Sequence, residues 1–387
     1  MPRSRREKSS SVSSAAAPIV NGSMPPPSPP SSSMRSSPVA TRRKAPSVSK
    51  AAVPGQISPP KSAHAPEKPS VSRFVLAAVV SLVAEGIGQE AASIYNTGEL
   101  ARISKRDVNW FEIGALVTWK MTLLAICWFG GFDAVDVASL NALLETPKFV
   151  LLHYFYLISS LELVTKSTIS ILAKALPFYM LRPLSAPHTT ASAGRPTAKL
   201  RNRSIINDPI TTFAISATAA LTYAVTLQLA FSYFLPSFLI THFSPLPSLE
   251  WAYNVVATFP TLLMWLAPAG IASTQLLFRP SEGAASSSNA ATGANSIALT
   301  HSHFDPSTAS FAQHVHHNVW GWYTSRQKEL IGRTFLLGVL LLTETVVHLC
   351  GEIQGVELVG AAGYASTWLA GAITLGMVMD WVGRPSD

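Results

Sequence analysis

Residues 330–380 read LIGRTFLLGVLLLTETVVHLC, then GEIQGVE, then LVGAAGYASTWLAGAITLGMVMD. Each flanking run is about 20 mostly apolar residues, the length of an α-helix that crosses a bilayer. Hydrocarbon offers no partner for backbone N–H and C=O groups, so such runs are satisfied only as helices. The link between them carries Glu352 and Glu357 and no Lys or Arg. The two runs therefore read as a membrane hairpin, 330–350 and 358–380.

Working outward, runs of the same kind occur at 111–130, 149–172, 210–235 and 252–278. The composition agrees. The chain of 387 residues is 48% hydrophobic and only 13% charged, where soluble domains carry about 25% charge. The expected fold is all-α: a polytopic transmembrane helix bundle of six spans, with seven as the alternative. The membrane domain falls in two parts, 71–278 and 330–387. A flexible, His-containing cytoplasmic loop, 279–329, separates them.

The seventh candidate is 74–95. Phe74 to Ala84 is apolar, but Glu85, Gln89 and Glu90 follow, and an acid in mid-helix costs about 2.5–3.5 kcal/mol on insertion scales. Basic residues concentrate in 96–110 (Arg102, Lys105, Arg106), 173–209, 279–329 and the C-terminal tail. If 74–95 does not cross, all of these lie on the side of the basic N-terminus. The other side then holds Lys148 against Asp133, Asp136, Glu145, Glu250, Glu352 and Glu357. The positive-inside rule favours that arrangement, so 74–95 is expected to be interfacial or re-entrant, with both termini cytoplasmic. Were it to cross, Glu85 and Glu90 would come within reach of Lys120.

Residues 1–70 are rich in Ser, Pro, Ala, Lys and Arg. Such a segment buries too little apolar surface to offset the entropy of ordering and is expected to be a disordered basic tail. Arg42-Arg43-Lys44 suits anionic lipid or an import receptor, and Ser28, Ser37 and Ser58 each precede Pro. The first apolar run starts at Phe74, so no secretory signal is expected. Endoplasmic reticulum or nuclear envelope is the expected location, in preference to a mitochondrial membrane.

Local signals are clear at several helix ends. Asp208-Pro209 suits a helix start. Pro260 and Pro268 should kink or break 252–278. Trp320, Trp322 and Tyr323 read as an aromatic belt. Small residues at four-residue spacing (Ala362, Ser366, Ala370, Thr374) let another helix approach 358–380 closely, either from this chain or in a homodimer.

Charges inside lipid mark partners or sites. Lys120 lies at mid-depth of the first span, and Glu162 and Lys166 in the second at the favourable i,i+4 order. Lys120 is within reach of Glu162 if those spans are neighbours. A proton or ion relay and a structural ion pair both remain open. Glu344, His348 and Glu352 recur every four residues and share a helical face, which suits a metal or proton site as well as a plain polar stripe. His153 is a candidate additional ligand. His301, His303, Asp305, His314, His316 and His317 form a second weak metal candidate in 279–329. Cys127 and Cys350, the only cysteines, are expected as free thiols.

Tyr179-Met180-Leu181-Arg182-Pro183, Leu200-Arg201-Asn202-Arg203, Asp208-Pro209, Leu235-Pro236 and Thr241-His242-Phe243 resemble a family of multi-span membrane proteins of filamentous fungi. The resemblance brings no activity or site residue with it, and the Ser/Pro/Ala-rich tail and loop are consistent with a eukaryotic source. The sequence has no phosphate-binding glycine loop and no nucleophile elbow. The expected role is non-enzymatic, as scaffold, tether or accessory subunit, with no cofactor and the lipid bilayer rather than nucleic acid as partner. A transporter or channel for a small ion or metabolite is the alternative.

Overall fold

The computed structural model describes residues 70–94, 98–106, 109–185, 187–189, 203–284 and 310–384. All lie in the unit Pro66–Asp387. The tail, His301, His303 and Asp305 lie outside the described residues.

The described residues form thirteen α-helices in chain order. They are α1 Val71–Ser93, α2 Glu99–Ile103, α3 Trp110–Phe129, α4 Ala134–Tyr154, α5 Ser160–Leu181, α6 Arg203–Asn207 and α7 Pro209–Tyr233. Then come α8 Leu235–His242, α9 Glu250–Tyr253, α10 Val255–Ser273, α11 Phe311–Trp320, α12 Ser325–Glu352 and α13 Leu358–Val382. No strand occurs among the described residues. Six helices are long and apolar enough to cross a membrane: α1, α3, α7, α10 extended to Ala284, α12 and α13.

These six are not the expected set. Segment 149–172 is not one helix: α4 stops at Tyr154, a turn follows, and α5 starts at Ser160. Nothing at 155–159 (FYLIS) looks like a turn, because it is apolar and mostly buried, with Leu157 exposed. Phe155 and Ile158 are in the core, Leu157 takes φ 55°, and Glu99 Oε2 accepts from Ser159 N at 2.8 Å. Most of the expected loop 131–148 is α4, the most buried long helix, which packs against α5, α10 and α12. Its start is fixed by Gly131 at φ +83°, which favours glycine, and by a capping box between Asp133 and Asp136.

Contacts near the helix termini show which way the long helices run; most neighbours are antiparallel, while α4 and α12 lie parallel, with Asp136 against Arg333 near their starts and Lys148 against Glu352 near their ends. At one end, here the terminal end, Phe74 packs on Phe129 (5.5 Å between centroids). There Arg182 donates to Trp128 O and Phe132 O, and Arg326 to Met379 O. At the opposite, loop end, residues 353–357 are clamped on both sides. Lys105 N donates to Glu352 O (3.0 Å) and Gln354 N to Ile103 O (2.9 Å) on one side. Ser244 N donates to Gly355 O (2.9 Å) and Glu357 N to His242 O (3.1 Å) on the other.

This clamp corrects the topology read from charge. Residues 103–105 lie at the end of the bundle that holds 353–357, whereas Arg182 lies at the opposite end. The physical reason is α1, which runs from the terminal end to the loop end. Gly88 lets it approach α5 so closely that a Cβ there would stand 2.5 Å from Ile169 Cγ2. Of the two acids that argued against insertion, Glu85 is paired, with Lys120 Nζ 2.8 Å from its Oε1, and Glu90 is exposed.

Other expectations are met in part. Asp208 caps α7 by accepting from Ile210 N and Thr211 N, a contribution of about 1 kcal/mol. Pro260 and Pro268 do not break α10; the irregularity is a π-helical turn at Thr274–Phe278. On α13, Gly371 and Gly376 face Tyr223 of α7 and Thr334 of α12, so the small residues serve contacts within the chain. Ser366 and Ala370 instead face outward over a groove between α7 and α13. Cys127 and Cys350 are free thiols at opposite ends of the bundle.

Candidate functional site

Polar residues recur at four-residue spacing on two long helices. On α5 the row is Glu162, Lys166, Ser170 and Lys174; on α12 it is Glu344, His348 and Glu352. This spacing puts each row on one helical face. Glu145 and Lys148 of α4, Glu85 and Gln89 of α1, and Trp119 and Lys120 of α3 point to the same place. Together they enclose a cavity of about 220 Å³, lined by Glu85, Gln89, Lys120, Glu145, Lys148, Lys166, Ser170, Lys174, His348 and Glu352, with Leu100 at the loop end.

The charges are paired across helices. Lys148 Nζ lies 3.1 Å from Glu145 Oε2 and 3.7 Å from Glu352 Oε2. Lys166 Nζ lies 3.7 Å from Glu162 Oε1, and Lys174 Nζ 4.0 Å from Glu344 Oε1. Ser170 Oγ donates to Glu145 Oε1 (2.9 Å), and Gln89 Nε2 to Lys166 O (3.2 Å). Trp119 Nε1 donates to Glu344. His348 bridges two carboxylates: Nδ1 bonds Glu352, while Nε2 stands 3.1 Å from Glu344 Oε1 but off the hydrogen-bond direction. Five carboxylates (85, 145, 162, 344, 352) thus face four ammonium groups (120, 148, 166, 174).

The geometry sorts the sequence candidates. Glu162 with Lys166, and Glu344 with His348 and Glu352, are brought together as expected. Lys120 pairs with Glu85 rather than Glu162. His153 is elsewhere, stacked between Phe149, Tyr154 and Trp265. His314, His316 and His317 lie on α11. Lys148, Lys174, Glu145, Ser170 and Trp119 were missed as site residues. The signal for Lys174 was the row starting at Glu162, cut off by ending the span at residue 172.

Below the cavity, toward the terminal end, the bundle is apolar. Leu123, Leu140, Leu337 and Leu341 are all but fully buried, about 16–22 Å from the loop end at 1.5 Å per helical residue. Beyond them lies a second charged set. Arg333 Nη1 pairs with Asp136 Oδ1 (2.7 Å), and Arg326 Nε with Glu282 Oε1 (2.6 Å). His188 Nδ1 contacts Asp133 Oδ2 at 2.8 Å, and its Nε2 faces Gln275 O at 3.2 Å.

Burial alone would raise the Asp133 carboxyl. The hydrogen bond and charge of His188, with N–H groups of Asp136 and Ser185, overcome it and hold Asp133 below the usual carboxylate range. Burial would likewise depress His188, and Asp133 more than offsets it, so the imidazole is raised. Asp133, Asp136 and His188 have ligand atoms within 4.8 Å of one another. Their chemistry does not suit a cation: Arg333 already neutralises Asp136, and both His188 nitrogens face acceptors.

An all-α bundle with six helices of membrane-crossing length and a charged cavity among them defines a multi-pass integral membrane protein. No family model, curated protein or solved structure matches the chain.

Proposed function

We propose that this protein is a carrier, binding a small charged molecule in the cavity and moving it through the membrane. The observation behind this reading is the set of charges that runs from the loop end at Glu352 to about 20 Å inside the bundle at Lys174, by helical rise. Buried ion pairs are poor stabilising devices, since well-packed apolar residues often do as well or better. Ionisable groups at membrane depth are by default a sign of function. Access is one-sided: the cavity reaches the loop end, while the leucine layer and the second charged set close the terminal end. On this reading α4 and α5 also cross, shielded by the apolar helices. The terminal end, from which the most basic segments lead, faces the cytosol.

The test is saturable uptake into proteoliposomes of full-length protein, using inorganic phosphate, glutamate and a short fluorescent alkyl phosphate. Wild type should move at least one of them, and the charge-neutral double variant E162Q/K166M should not. If wild type moves none beyond empty liposomes while correctly folded, the carrier reading fails and the scaffold reading replaces it.

A further inference from the structure

The charged cavity is not closed on its lipid-facing side. Glu85, Gln89, Lys120 and Glu352 line it and also line an adjoining cleft of about 350 Å³. The remaining cleft walls are Leu82 and Gly86 of α1 and Ile113, Leu116 and Val117 of α3. Gly86, Ile113 and Val117 are exposed, and on membrane-length helices exposed apolar residues face lipid. α1 and α3 touch only sparsely, and a Cβ added at Gly86 would meet nothing within 4 Å. A polar chamber inside the bundle is therefore continuous with an apolar slot that opens sideways into the leaflet at the loop end.

The chamber presents mainly positive charge to an occupant. Side chains of Lys120, Lys148 and Lys166 are 24–32% exposed, whereas Glu85, Glu145 and Glu162 are 12% or less. Glu352, at 38%, is the accessible carboxylate, shared between Lys148 and His348. Lys166 stands 3.7 Å from its partner, which leaves ammonium donors able to turn toward a ligand, since each ammonium has three.

We propose, building on the carrier reading, that the occupant is an anionic amphiphile drawn from the loop-end leaflet. Its phosphate or carboxylate head sits among Lys120, Lys148 and Lys166. Its apolar tail lies in the slot between α1 and α3. Neither half alone specifies this: the head chemistry follows from the exposed lysines, and the tail from the lateral slot. A free anion would use only the chamber.

The test measures binding to full-length protein in dodecyl maltoside micelles, by thermal shift and native mass spectrometry. The probes are dodecyl phosphate and inorganic phosphate. Wild type should bind dodecyl phosphate at least tenfold more tightly than inorganic phosphate. G86F fills the slot and should weaken dodecyl phosphate at least tenfold while leaving the charged set intact. G114F is the folding control, because Gly114 also has open space around it but lies outside the slot. E162Q/K166M should weaken dodecyl phosphate at least tenfold too, and thermal stability of each unliganded variant separates lost binding from lost folding. Equal affinities for the two probes, with G86F unchanged, would overturn the amphiphile and leave a carrier of aqueous anions. If neither probe binds folded wild type, the anion chemistry is refuted, and uptake of the wider panel decides the carrier reading separately.

Discussion

The pair Lys174–Glu344 offers the sharpest test of the charged bundle. Both side chains are 4% exposed, 4.0 Å apart. Two unit charges at that distance attract by about 4 kcal/mol at an effective dielectric of 20, and stranding one partner of a buried pair costs about 3–5 kcal/mol. Glu344 keeps Trp119 and His348 when Lys174 is lost. K174M should therefore cost less than E344Q, about 2–3 against 3–5 kcal/mol by the same reasoning. The double variant K174M/E344Q removes both charges and leaves neither stranded, so it should cost less than E344Q alone. A coupling of about 3 kcal/mol is expected from the cycle. It is read by reversible denaturation of purified protein in mixed micelles, with stability measured for all four proteins under one condition. Additivity within about 0.5 kcal/mol, the range for independent sites, would refute the pairing and with it the description of the cavity wall.

Three further outcomes follow from other parts of the bundle. The fold favours ionised Asp133 and protonated His188. The Asp133 contribution is complete above its ordinary value of 3.8 and lost as pH falls through the lowered one. The His188 contribution is complete below 6.5 and lost as pH rises through the raised one. Stability should thus be greatest between about pH 4 and 6.5 as far as this pair is concerned, and H188Q should flatten the alkaline limb of a melting-temperature profile; an unchanged limb counts against the contact. Glycosylation acceptor sites placed in 98–106 and in 353–357 should be modified together or not at all, and modification of one alone contradicts the backbone clamp between them. G376V should destabilise α12–α13 packing, because a Cβ at Gly376 meets Thr334 Cγ2 at 2.7 Å; overpacking of this kind typically costs about 1–3 kcal/mol, and an unshifted melting temperature would speak against it.

The fold class was legible because length and hydropathy of runs such as 358–380 do not depend on their neighbours. Topology was less so. The acids of 74–95 were weighed as bare charges, yet Glu85 reaches Lys120 from another helix, and no insertion scale contains that partner. The turn at 155–159 is hidden for a related reason: turns look polar when they are wet, and most of this one is apolar and covered by α2 and the segment before α9. Of the site, the rows on single helices (Glu162 with Lys166; Glu344, His348 and Glu352) were visible, since helical spacing is a local property. Lys148 and Lys174 were read as loop charges because the helices holding them were drawn too short. Trp119 had no local signal, its only distinction being a contact with a residue far along the chain.

The clamp at 353–357 has a mechanical consequence. The tip of the α12–α13 hairpin is hydrogen-bonded to the α2 segment on one flank and to 242–244 on the other. It fits there only because Gly355, at φ +76°, has no Cβ to strike Ser244 O. Any separation of the α1–α3 half from the α7–α10 half at that end would tear the two backbone hydrogen bonds of one flank or the other. We therefore expect that end to act as the pivot and the opposite end to swing. Amide exchange at Gln354 and Ser244 should stay slow in a working protein while the amides around His188 exchange faster; the reverse order would place the hinge elsewhere.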